Sequence, residues 1–589
     1  MKSGEPATRT SQSLRVGELA MLFTAYFLFY VLTLSNVLSV ATDSISYINQ
    51  IDRGRQLFHP HHLLYFPLAY MWIALCGQVG VHLDSIILVS GLNAIFGSLT
   101  LCVFYSFLRV RLACDRFTAL LGTSLPAFSF AFWYYSGAVE VYIIPLFLLW
   151  LAFYALTADH ITAKTFLLVG FLNAVAVLIA EMSVLFATVV FLAAWCCYRR
   201  GNCSLSRSLA NYIVAAVPTV ALPYLGALLY VGRGSFRGSL YWLTLYAHRT
   251  RFWNTASTSA LAKAAVGIGQ AFIGSHFLFA LPRVRFEIGK MLPGFYLTHN
   301  TYLVRNLKTG VAYLLVGLSV CLFALVVFTL TASLARWSKL SLSKRLPVYL
   351  LLVWLLTYGV FVFFYTAVNA KLWIVQVFCI WMLFLILLLG ASSNLESTAT
   401  WSRVVLVSAV SLLFFVNFEG SIRFTKERDN DYYYSRIEPL LRACDRDDLV
   451  IIGTAWKFGA YLQRYGKAPI LSLTSVYDKS GATSESLQKV EFAIDRTLAA
   501  GGKVVVSSEA VEPEKETMQL YPGIAAFGTL WDKYRQCWCE RESSAGSVYV
   551  LEGGRAESAQ APGGNASVSE CRPTLLPNKV ESTRTSSTK

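Results

Sequence analysis

The sequence is poor in charged residues. Asp, Glu, Lys and Arg make up only 14% of the 589 residues, whereas hydrophobic residues make up 56%. A soluble globular domain does not need so high a ratio of hydrophobic to charged residues. The composition therefore excludes a purely soluble protein. The composition is instead typical of a polytopic membrane protein.

Several sequence signatures are also missing. The chain has no GxGxxG fingerprint and no Walker A loop, so a nucleotide site is not indicated. No internal repeat is present, although transporter folds are often built from repeats. The 12 cysteines form no regular framework. Cys537 and Cys539 lie with Cys444 and Cys571 in the C-terminal region, where a disulfide and no bond are both open interpretations.

The net charge of +16 does not indicate nucleic-acid binding. The basic residues are scattered between apolar runs, which favours contacts with membrane lipids and no nucleic-acid partner. Residues 1–16 are predicted to be a cytoplasmic N-terminus before a retained first helix. Basic loops after the second, sixth and eighth apolar runs agree with this orientation.

Eleven apolar runs approach the length of about 20 residues that crosses a bilayer. Together they define a predicted transmembrane domain over 17–420, with extracytoplasmic loops at about 42–83 and 232–310. The predicted helices are 17–41, 84–108, 117–134, 139–157, 164–180, 182–198, 211–231, 311–335, 348–368, 372–390 and 402–418.

The character of the sequence changes after the last apolar run. Short β-branched segments alternate with amphipathic stretches, which predicts a small extracytoplasmic α/β domain over 425–552. The Ser-, Gly- and Pro-rich segment 553–589 is predicted to be a disordered tail. The fold class is therefore an α-helical polytopic membrane protein with about 11 transmembrane helices and a C-terminal small α/β soluble domain.

Asp43 is the sharpest candidate for chemistry. It follows the first apolar run within "ATDSISYINQ". One interpretation makes it the N-cap of a short interfacial helix. The other makes it a general base, since a carboxylate beside a low-dielectric cleft gains basicity.

Two glutamates also stand in apolar surroundings. Glu140, in "FWYYSGAVEVYIIP", is predicted to face the same compartment as Asp43. Glu181, in "LIAEMSVL", lies where two short helical runs meet. Ionisable residues at membrane depth are candidates for function because their desolvation must be offset.

Histidines and arginines are the candidate substrate contacts. His59, His61 and His62 surround Pro60; hydrogen bonds to a phosphate or sugar and simple packing are the main alternatives, and a metal site is disfavoured. In "YAHRTRFW", Arg249 and Arg251 suit phosphate oxygens or anionic lipid headgroups, and His248 could contact a sugar ring.

Three stretches resemble integral-membrane glycosyltransferases of the C superfamily (the GT-C fold). The first stretch contains the exposed Asp43, a following "HP" element and "LLYFPLAYMW". The second is "FWYYSGAVEVYIIP", and the third is "VFFYTAVNAKLWIVQVF" at 362–378. The resemblance is to protein O-mannosyltransferase-like and DUF2723-like bacterial proteins. It covers roughly 15–420 and is strong over about 15–200.

The resemblance implies an inverting hexosyl- or pentosyltransferase that uses a polyprenyl-phosphate-sugar donor and acts on the non-cytoplasmic face. It places Asp43 as catalytic base, Glu140 as a second acid and Glu181 at the cavity floor. The acceptor is a hydroxyl of a lipid, glycan or protein, and neither cofactor nor metal is expected.

The alternatives are a lipid or glycan transporter or flippase, and a non-catalytic glycan-binding scaffold. A bacterial inner membrane is the expected location, with a eukaryotic endomembrane as the alternative.

Overall fold

The structure is a computed structural model, and the chain separates into two compact units, Met1–Tyr432 and Tyr433–Lys589. The described residues are 15–41, 43–231, 235–244, 253–292, 296–334, 342–390, 396–453, 455–476, 483–513, 518, 522–535, 538–543 and 546–552. The predicted tail at 553–589 lies outside them, as do His248, Arg249 and Arg251.

The first unit is built mainly of helices. Its α-helices are α1 (Val16–Leu32), α2 (Ser44–Arg53), α3 (Tyr65–Gln78), α4 (Ser85–Ser106), α5 (Arg116–Phe128), α6 (Phe130–Ser136), α7 (Ile143–Leu156), α8 (Ala163–Ile179), α9 (Ala187–Arg199), α10 (Leu205–Val231), α11 (Phe236–Leu243), α12 (Thr258–Ile273), α13 (Pro282–Met291), α14 (Tyr296–Leu303), α15 (Thr309–Leu334), α16 (Leu342–Phe364), α17 (Ile374–Gly390) and α18 (Glu396–Gly420).

Many of these helices are long and apolar enough to cross a membrane. Among the described residues, seven segments meet this standard: Ser85–Arg111, Glu181–Arg199, Leu205–Val231, Thr309–Leu334, Arg345–Phe364, Ala370–Leu389 and Thr400–Gly420. Val16–Leu32, Ile143–Leu156 and Ala163–Ile179 are shorter apolar helices. These segments coincide with ten of the eleven predicted runs, and the helical multi-pass fold class is confirmed.

Two predicted helices are cut short or interrupted by contacts that the structure identifies. The first ends at Leu32 instead of residue 41, because the following amides pair with distant groups: Asn36 N donates to Thr425 O (2.8 Å) and Leu38 N to Asp431 Oδ2 (2.6 Å). The predicted helix at 117–134 is broken at Ser129, whose backbone is extended. The Ser129 hydroxyl accepts from Trp381 Nε1 (2.8 Å), which anchors the break.

Helix α8 ends where the loop at 59–64 pairs with its last residues. Ala180 is extended, and a 3₁₀-helix, Glu181–Phe186, follows. Glu181 N donates to His61 O (3.2 Å), and Leu64 N donates to Leu178 O (2.9 Å). The loop at 59–64 therefore takes up backbone groups that a continuous helix would have used internally.

The second unit contains a five-stranded sheet, as the predicted α/β domain requires. The strands are β1 (Leu449–Ile452), β2 (Ile470–Ser472), β3 (Lys503–Ser507), β4 (Trp538–Ser543) and β5 (Gly546–Glu552). Their order is β2-β1-β3-β5-β4. The pairs β1–β2 and β1–β3 are parallel, whereas β5 pairs antiparallel with β3 and β4.

Amphipathic helices cover this sheet. The helices of the unit are α19 (Tyr432–Ala443), α20 (Ala460–Tyr465), α21 (Ser484–Ala499), α22 (Ser508–Val511) and α23 (Gly528–Tyr534). Val490 and Ile494 of α21 are fully buried against the strands, with Trp531 of α23 in the same core. The alternation of β-branched and amphipathic segments seen in the sequence thus produces a sheet covered by helices.

Candidate functional site

One lysine joins the two acids that the sequence singled out. Lys371 Nζ lies 2.6 Å from Asp43 Oδ2 and 3.0 Å from Glu140 Oε2. In the sequence, Lys371 is 328 residues from Asp43 and 231 residues from Glu140. We call Asp43, Glu140 and Lys371 the triad.

Burial differs sharply within the triad. The side chain of Glu140 is 0% exposed and that of Lys371 5%, whereas that of Asp43 is 39% exposed. One ammonium facing two carboxylates leaves a formal charge of −1 at a largely desolvated site. Because Asp43 is the exposed member, it is the carboxylate that can meet a group arriving from outside.

Asp43 is held by the chain on both sides of it. It occupies the N-cap position of α2, but its side chain makes no capping hydrogen bond. Ser44 Oγ donates to Val139 O (2.7 Å), and Ala41 N donates to Tyr134 Oη (3.1 Å). The start of α2 is thereby fixed to the end of α6 and to the Glu140 loop, and the Asp43 carboxylate turns to Lys371 instead of its own helix.

Glu140 lies in the connection between α6 and α7. Asn93 of α4 donates from Nδ2 to Ala138 O and Glu140 O, both at 2.7 Å. Val141 N donates to Glu140 Oε1 at 3.0 Å, so the carboxylate has a second partner besides Lys371. Burial raises the pKa of the Glu140 carboxyl, and the Lys371 ammonium opposes that rise.

Lys371 lies in the 3₁₀-helix Ala370–Trp373 between α16 and α17. The side-chain oxygen of Asn369 accepts from Lys371 N (3.4 Å), and Trp373 Nε1 donates to Ala367 O (2.7 Å). Helix α12 packs tightly against this turn at Gly267, where an added Cβ would come within 2.6 Å of Trp373 Nε1. The position of the ammonium therefore depends on a close helix contact.

Aromatic rings separate the triad from the histidine loop. The ring centroid of Tyr142 is 5.7 Å from Lys371 Nζ and 6.4 Å from the His62 ring. The ring of Tyr47, four residues after Asp43, lies 6.0 Å from that of His62.

The predicted histidines form a second polar cluster with Glu181. His61 Nδ1 lies 2.5 Å from Glu181 Oε1, and His62 Nδ1 lies 3.3 Å from Ile179 O. The His59 ring stacks on that of His62, with centroids 5.5 Å apart. We call His59, His61, His62 and Glu181 the histidine joint, because they connect the loop at 59–64 to the end of α8.

The described residues contain no group of three or more His, Cys, Asp or Glu side chains that could hold a metal ion. Two carboxylates and an ammonium instead provide a proton acceptor and a positive charge within hydrogen-bond distance of each other. Such a site can remove a proton from a bound hydroxyl and offset negative charge beside it.

Lys371 is the member of the triad that the sequence reasoning missed. It stands alone between two strongly apolar runs, in the resemblance stretch 362–378. The predicted topology puts it on the same side as Asp43 and Glu140, after the ninth run, where the positive-inside bias disfavours a lysine. The conflict with the positive-inside bias was therefore the one feature of the sequence that marked Lys371 as a candidate for function.

Sequence comparison identifies no relative: no family model matches the chain, and no curated protein matches it. Comparison of structures finds similar folds. An oligosaccharyltransferase of Archaeoglobus fulgidus, in complex with Zn and sulfate, has a TM-score of 0.48 and 12% identity over 90% of this chain and 73% of that chain.

ArnT from Cupriavidus metallidurans, bound to undecaprenyl phosphate, has a TM-score of 0.44 with 12% identity, over 91% of this chain and 98% of that chain. The same protein in the apo state has a TM-score of 0.40, at the same identity and coverage. All three scores are below 0.5, so these likenesses carry no inference about the chemistry of this chain.

Proposed function

We propose that this protein is a membrane glycosyltransferase of the GT-C type. It transfers a sugar from a polyprenyl-phosphate-linked donor to an acceptor hydroxyl on the non-cytoplasmic face. The observation that carries the proposal is the triad, in which Lys371 bridges Asp43 and Glu140 at distances of 2.6 and 3.0 Å. The O-mannosyltransferase-like or DUF2723-like subtype stays a prediction from the sequence.

Asp43 is the base in the proposed reaction. As the acceptor oxygen attacks the anomeric carbon, the Asp43 carboxylate takes the hydroxyl proton. The bond between the anomeric carbon and the phosphate oxygen breaks, and the phosphate leaves with the electron pair. Attack opposite the leaving group inverts the anomeric centre. The 39% exposure of Asp43 supports this role because the acceptor can reach it.

Lys371 and Glu140 set the charge around that base. Negative charge grows on the departing phosphate, and a fixed cation beside it lowers the barrier most effectively where water is excluded. The Lys371 ammonium is 5% exposed and meets this condition. Glu140, fully buried, is the second carboxylate in contact with the ammonium, at 3.0 Å, and so helps to position it.

The membrane location and the side of action rest on separate supports. The apolar helices support a lipid-borne donor, since a polyprenyl chain needs a bilayer-facing entrance. The predicted topology supports the non-cytoplasmic face, with the C-terminal α/β domain on the same side. A bacterial inner membrane is the proposed location.

The proposal is tested with purified protein and radiolabelled polyprenyl-phosphate sugars, with and without crude cell-envelope acceptor. Asp43→Asn should reduce sugar transfer at least ~100-fold while leaving the protein folded, since it keeps the size of the side chain and removes the base. The matched control is Asp52→Asn. Asp52 lies nine residues further on in the same helix, is exposed, and accepts from Ser85 Oγ.

Transfer that depends on Asp43 but not on Asp52 would support the enzyme and identify its donor. Full transfer by Asp43→Asn would overturn the role of the base. Movement of an unaltered lipid-linked sugar across vesicles would favour a flippase, and sugar binding without consumption would favour a scaffold.

A further inference from the structure

The chain between α1 and Asp43 has no regular secondary structure. Residues 33–41 contain neither helix nor strand, yet Val37, Leu38 and Ala41 are buried. Because such a segment has no hydrogen-bond ladder of its own, its position is set by the groups that pair with its amides. We call residues 33–41 the approach segment, since they lead the chain to the proposed base.

Asp431 is the buried acid that pairs with the approach segment. Its Oδ2 accepts from Leu38 N at 2.6 Å and from Ser39 N at 3.1 Å, across 393 and 392 residues of sequence. Asp431 is 1% exposed. A charged acceptor makes stronger hydrogen bonds than a neutral one, so this carboxylate fixes two amides that lie shortly before Asp43 in the chain.

Asp431 is itself held in place by its neighbours. Its N donates to Arg428 O (2.8 Å), and Asn430 Nδ2 donates to Phe424 O (2.9 Å). Arg305 Nη1 donates to Asn430 Oδ1 (2.8 Å). The carboxylate is therefore a fixed point for the approach segment.

Tyr134 of α6 holds the same segment at two other places. Its Oη donates to Val37 O (2.7 Å) and accepts from Ala41 N (3.1 Å). The approach segment is thus tied both to Asp431 and to the helix that precedes Glu140. Loss of the Asp431 contacts would free the middle of the segment and change where Asp43 meets Lys371.

The location of the buried charge indicates more than the end of a helix. Thr425 O accepts from Asn36 N (2.8 Å) and Val37 N (3.2 Å), so a neutral carbonyl oxygen is sufficient where the chain leaves α1. Burial of a carboxylate is costly unless it is well paired. The charge of Asp431 lies instead at the next two amides, toward the proposed base.

We propose that Asp431 is a positioning residue for Asp43. By fixing the amides of Leu38 and Ser39, it sets the distance from the Asp43 carboxylate to the acceptor hydroxyl. The assignment rests on the proposed function and deepens it, because Asp431 acts through the base alone. A displacement of about 1 Å at a reacting group can lower a rate about 100-fold.

The first test compares two buried acids. Asp431→Ala should lower kcat for sugar transfer by about 10- to 100-fold and leave KM for the polyprenyl-phosphate sugar within about 2-fold. The matched control is Asp448→Ala in the second unit. Asp448 is 5% exposed and accepts from Asp445 N (2.6 Å) and Lys503 N (2.7 Å), so the control loses the same kind of contact. Equal losses of kcat in the two variants would overturn the assignment.

A double-mutant cycle separates positioning from a loss of folded protein. The Asp43→Asn protein has no base to position, so adding Asp431→Ala should change its remaining transfer rate by less than about 2-fold. A further fall of about 10-fold or more would show that Asp431 stabilises the protein without acting through Asp43, and the assignment would be wrong.

Hydrogen exchange measures the restraint without turnover. Full-length wild type and Asp431→Ala are compared in lipid nanodiscs by mass spectrometry. Exchange of the amides at 36–41 should rise at least ~10-fold, as expected for a lost hydrogen bond to a charged group, whereas exchange in α7 should stay within about 2-fold. Unchanged exchange at 36–41 would overturn the assignment.

Asp431→Asn keeps an acceptor oxygen at the same place but removes the charge. It should therefore lose less activity than Asp431→Ala, with kcat about 3-fold below that of the wild type. If Asp431→Ala does not fold, this variant decides the question. A reduced kcat with unchanged KM would support the assignment, and full kcat would contradict it.

Failure of the proposed function gives a different result. If the wild type transfers no sugar but Asp431→Ala still raises exchange at 36–41, the proposed function is overturned while the hold of Asp431 on the approach segment stands. If transfer depends on Asp43 and Asp431→Ala keeps full kcat, only this inference is overturned.

Discussion

The triad and the histidine joint both set a partly exposed carboxylate against a buried nitrogen group, yet only the triad contains a second, fully buried carboxylate. In the triad the side chain of Asp43 is 39% exposed, that of Lys371 is 5% exposed and that of Glu140 is 0% exposed. In the histidine joint the acid, Glu181, has a side chain 49% exposed and its partner His61 is buried at 6%.

This difference shows what each cluster can do. In the triad a fully buried carboxylate as well as Asp43 holds the cation, so a fixed positive charge lies beside a carboxylate that a reacting group can approach. The buried imidazole of His61 and the backbone bonds around it instead fasten a loop to the interrupted helix α8. The sequence-based prediction that the histidines contact substrate stays a prediction, and the structure adds a packing reason for them.

The largest expected effect comes from removing the ammonium. Lys371→Met leaves the buried Glu140 carboxylate without its cation, which should cost about 3–5 kcal/mol of stability and reduce sugar transfer at least ~100-fold. Unfolding temperature and transfer rate are measured on the same preparation. Removal of the exposed acid of the histidine joint, Glu181→Gln, should cost less than ~1 kcal/mol because the Glu181 side chain is half exposed.

A second substitution separates charge balance from chemistry. Lys371→Met combined with Glu140→Gln removes the uncompensated buried charge and should regain most of the lost stability without regaining transfer. Recovery of both properties would mean that the triad serves only to stabilise the fold.

The sequence predicted the two acids of the triad but not the contact between them. Asp43 and Glu140 were evident because each is an isolated carboxylate next to an apolar run. Lys371 was not, because a lone lysine near a helix end is usually a membrane-flanking residue. Its role depends on a pairing across 328 residues, which local periodicity does not encode.

Two buried asparagines give a matched test of the two clusters. Asn93 donates to the loop of Glu140 through two bonds of 2.7 Å, and Asn173 donates to Ser183 O in the 3₁₀-helix after α8 at 2.8 Å. Each Asn→Leu change leaves backbone oxygens unsatisfied and should cost about 2–3 kcal/mol. Only Asn93→Leu should also lower the transfer rate, by about 10-fold, measured where both variants are folded. Equal rate losses would mean that both clusters serve catalysis.

Two glycines of α12 sharpen the same comparison. An added Cβ at Gly267 meets the Lys371 turn, whereas at Gly269 it meets nothing within 4 Å. Gly267→Ala should destabilise by about 1–3 kcal/mol through overpacking and reduce transfer. Gly269→Ala should stabilise the helix by roughly 0.5–1 kcal/mol with transfer unchanged. If Gly267→Ala is as harmless as its neighbour, the close contact does not position Lys371.

The fold was more predictable than the site because apolar length and β-branched alternation are local features. They located the helical runs and the C-terminal sheet. They did not predict the ends of the first helix or the break at Ser129, because amides and hydroxyls there pair with Asp431, Thr425 and Trp381. Such tertiary hydrogen bonds override a continuous apolar pattern.

A smaller expected effect is a pH dependence of stability to which His62 of the histidine joint contributes. The pKa of His62 is lowered well below its usual value by burial and by the neighbouring His59 and His61. Unfolded His62 takes up a proton below about pH 6.5 and the folded form does not, so stability is present above that pH and is lost as the pH falls.

At pH 5.5 the expected loss from His62 is about 1.4 kcal/mol. His62→Gln should therefore flatten the fall in unfolding temperature between pH 7 and 5.5, with the exposed His160→Gln as control. An unchanged pH slope in His62→Gln would show that His62 is protonated in the folded protein. The folded and unfolded forms would then take up the proton of His62 at the same pH, and His62 would contribute nothing to the pH dependence of stability.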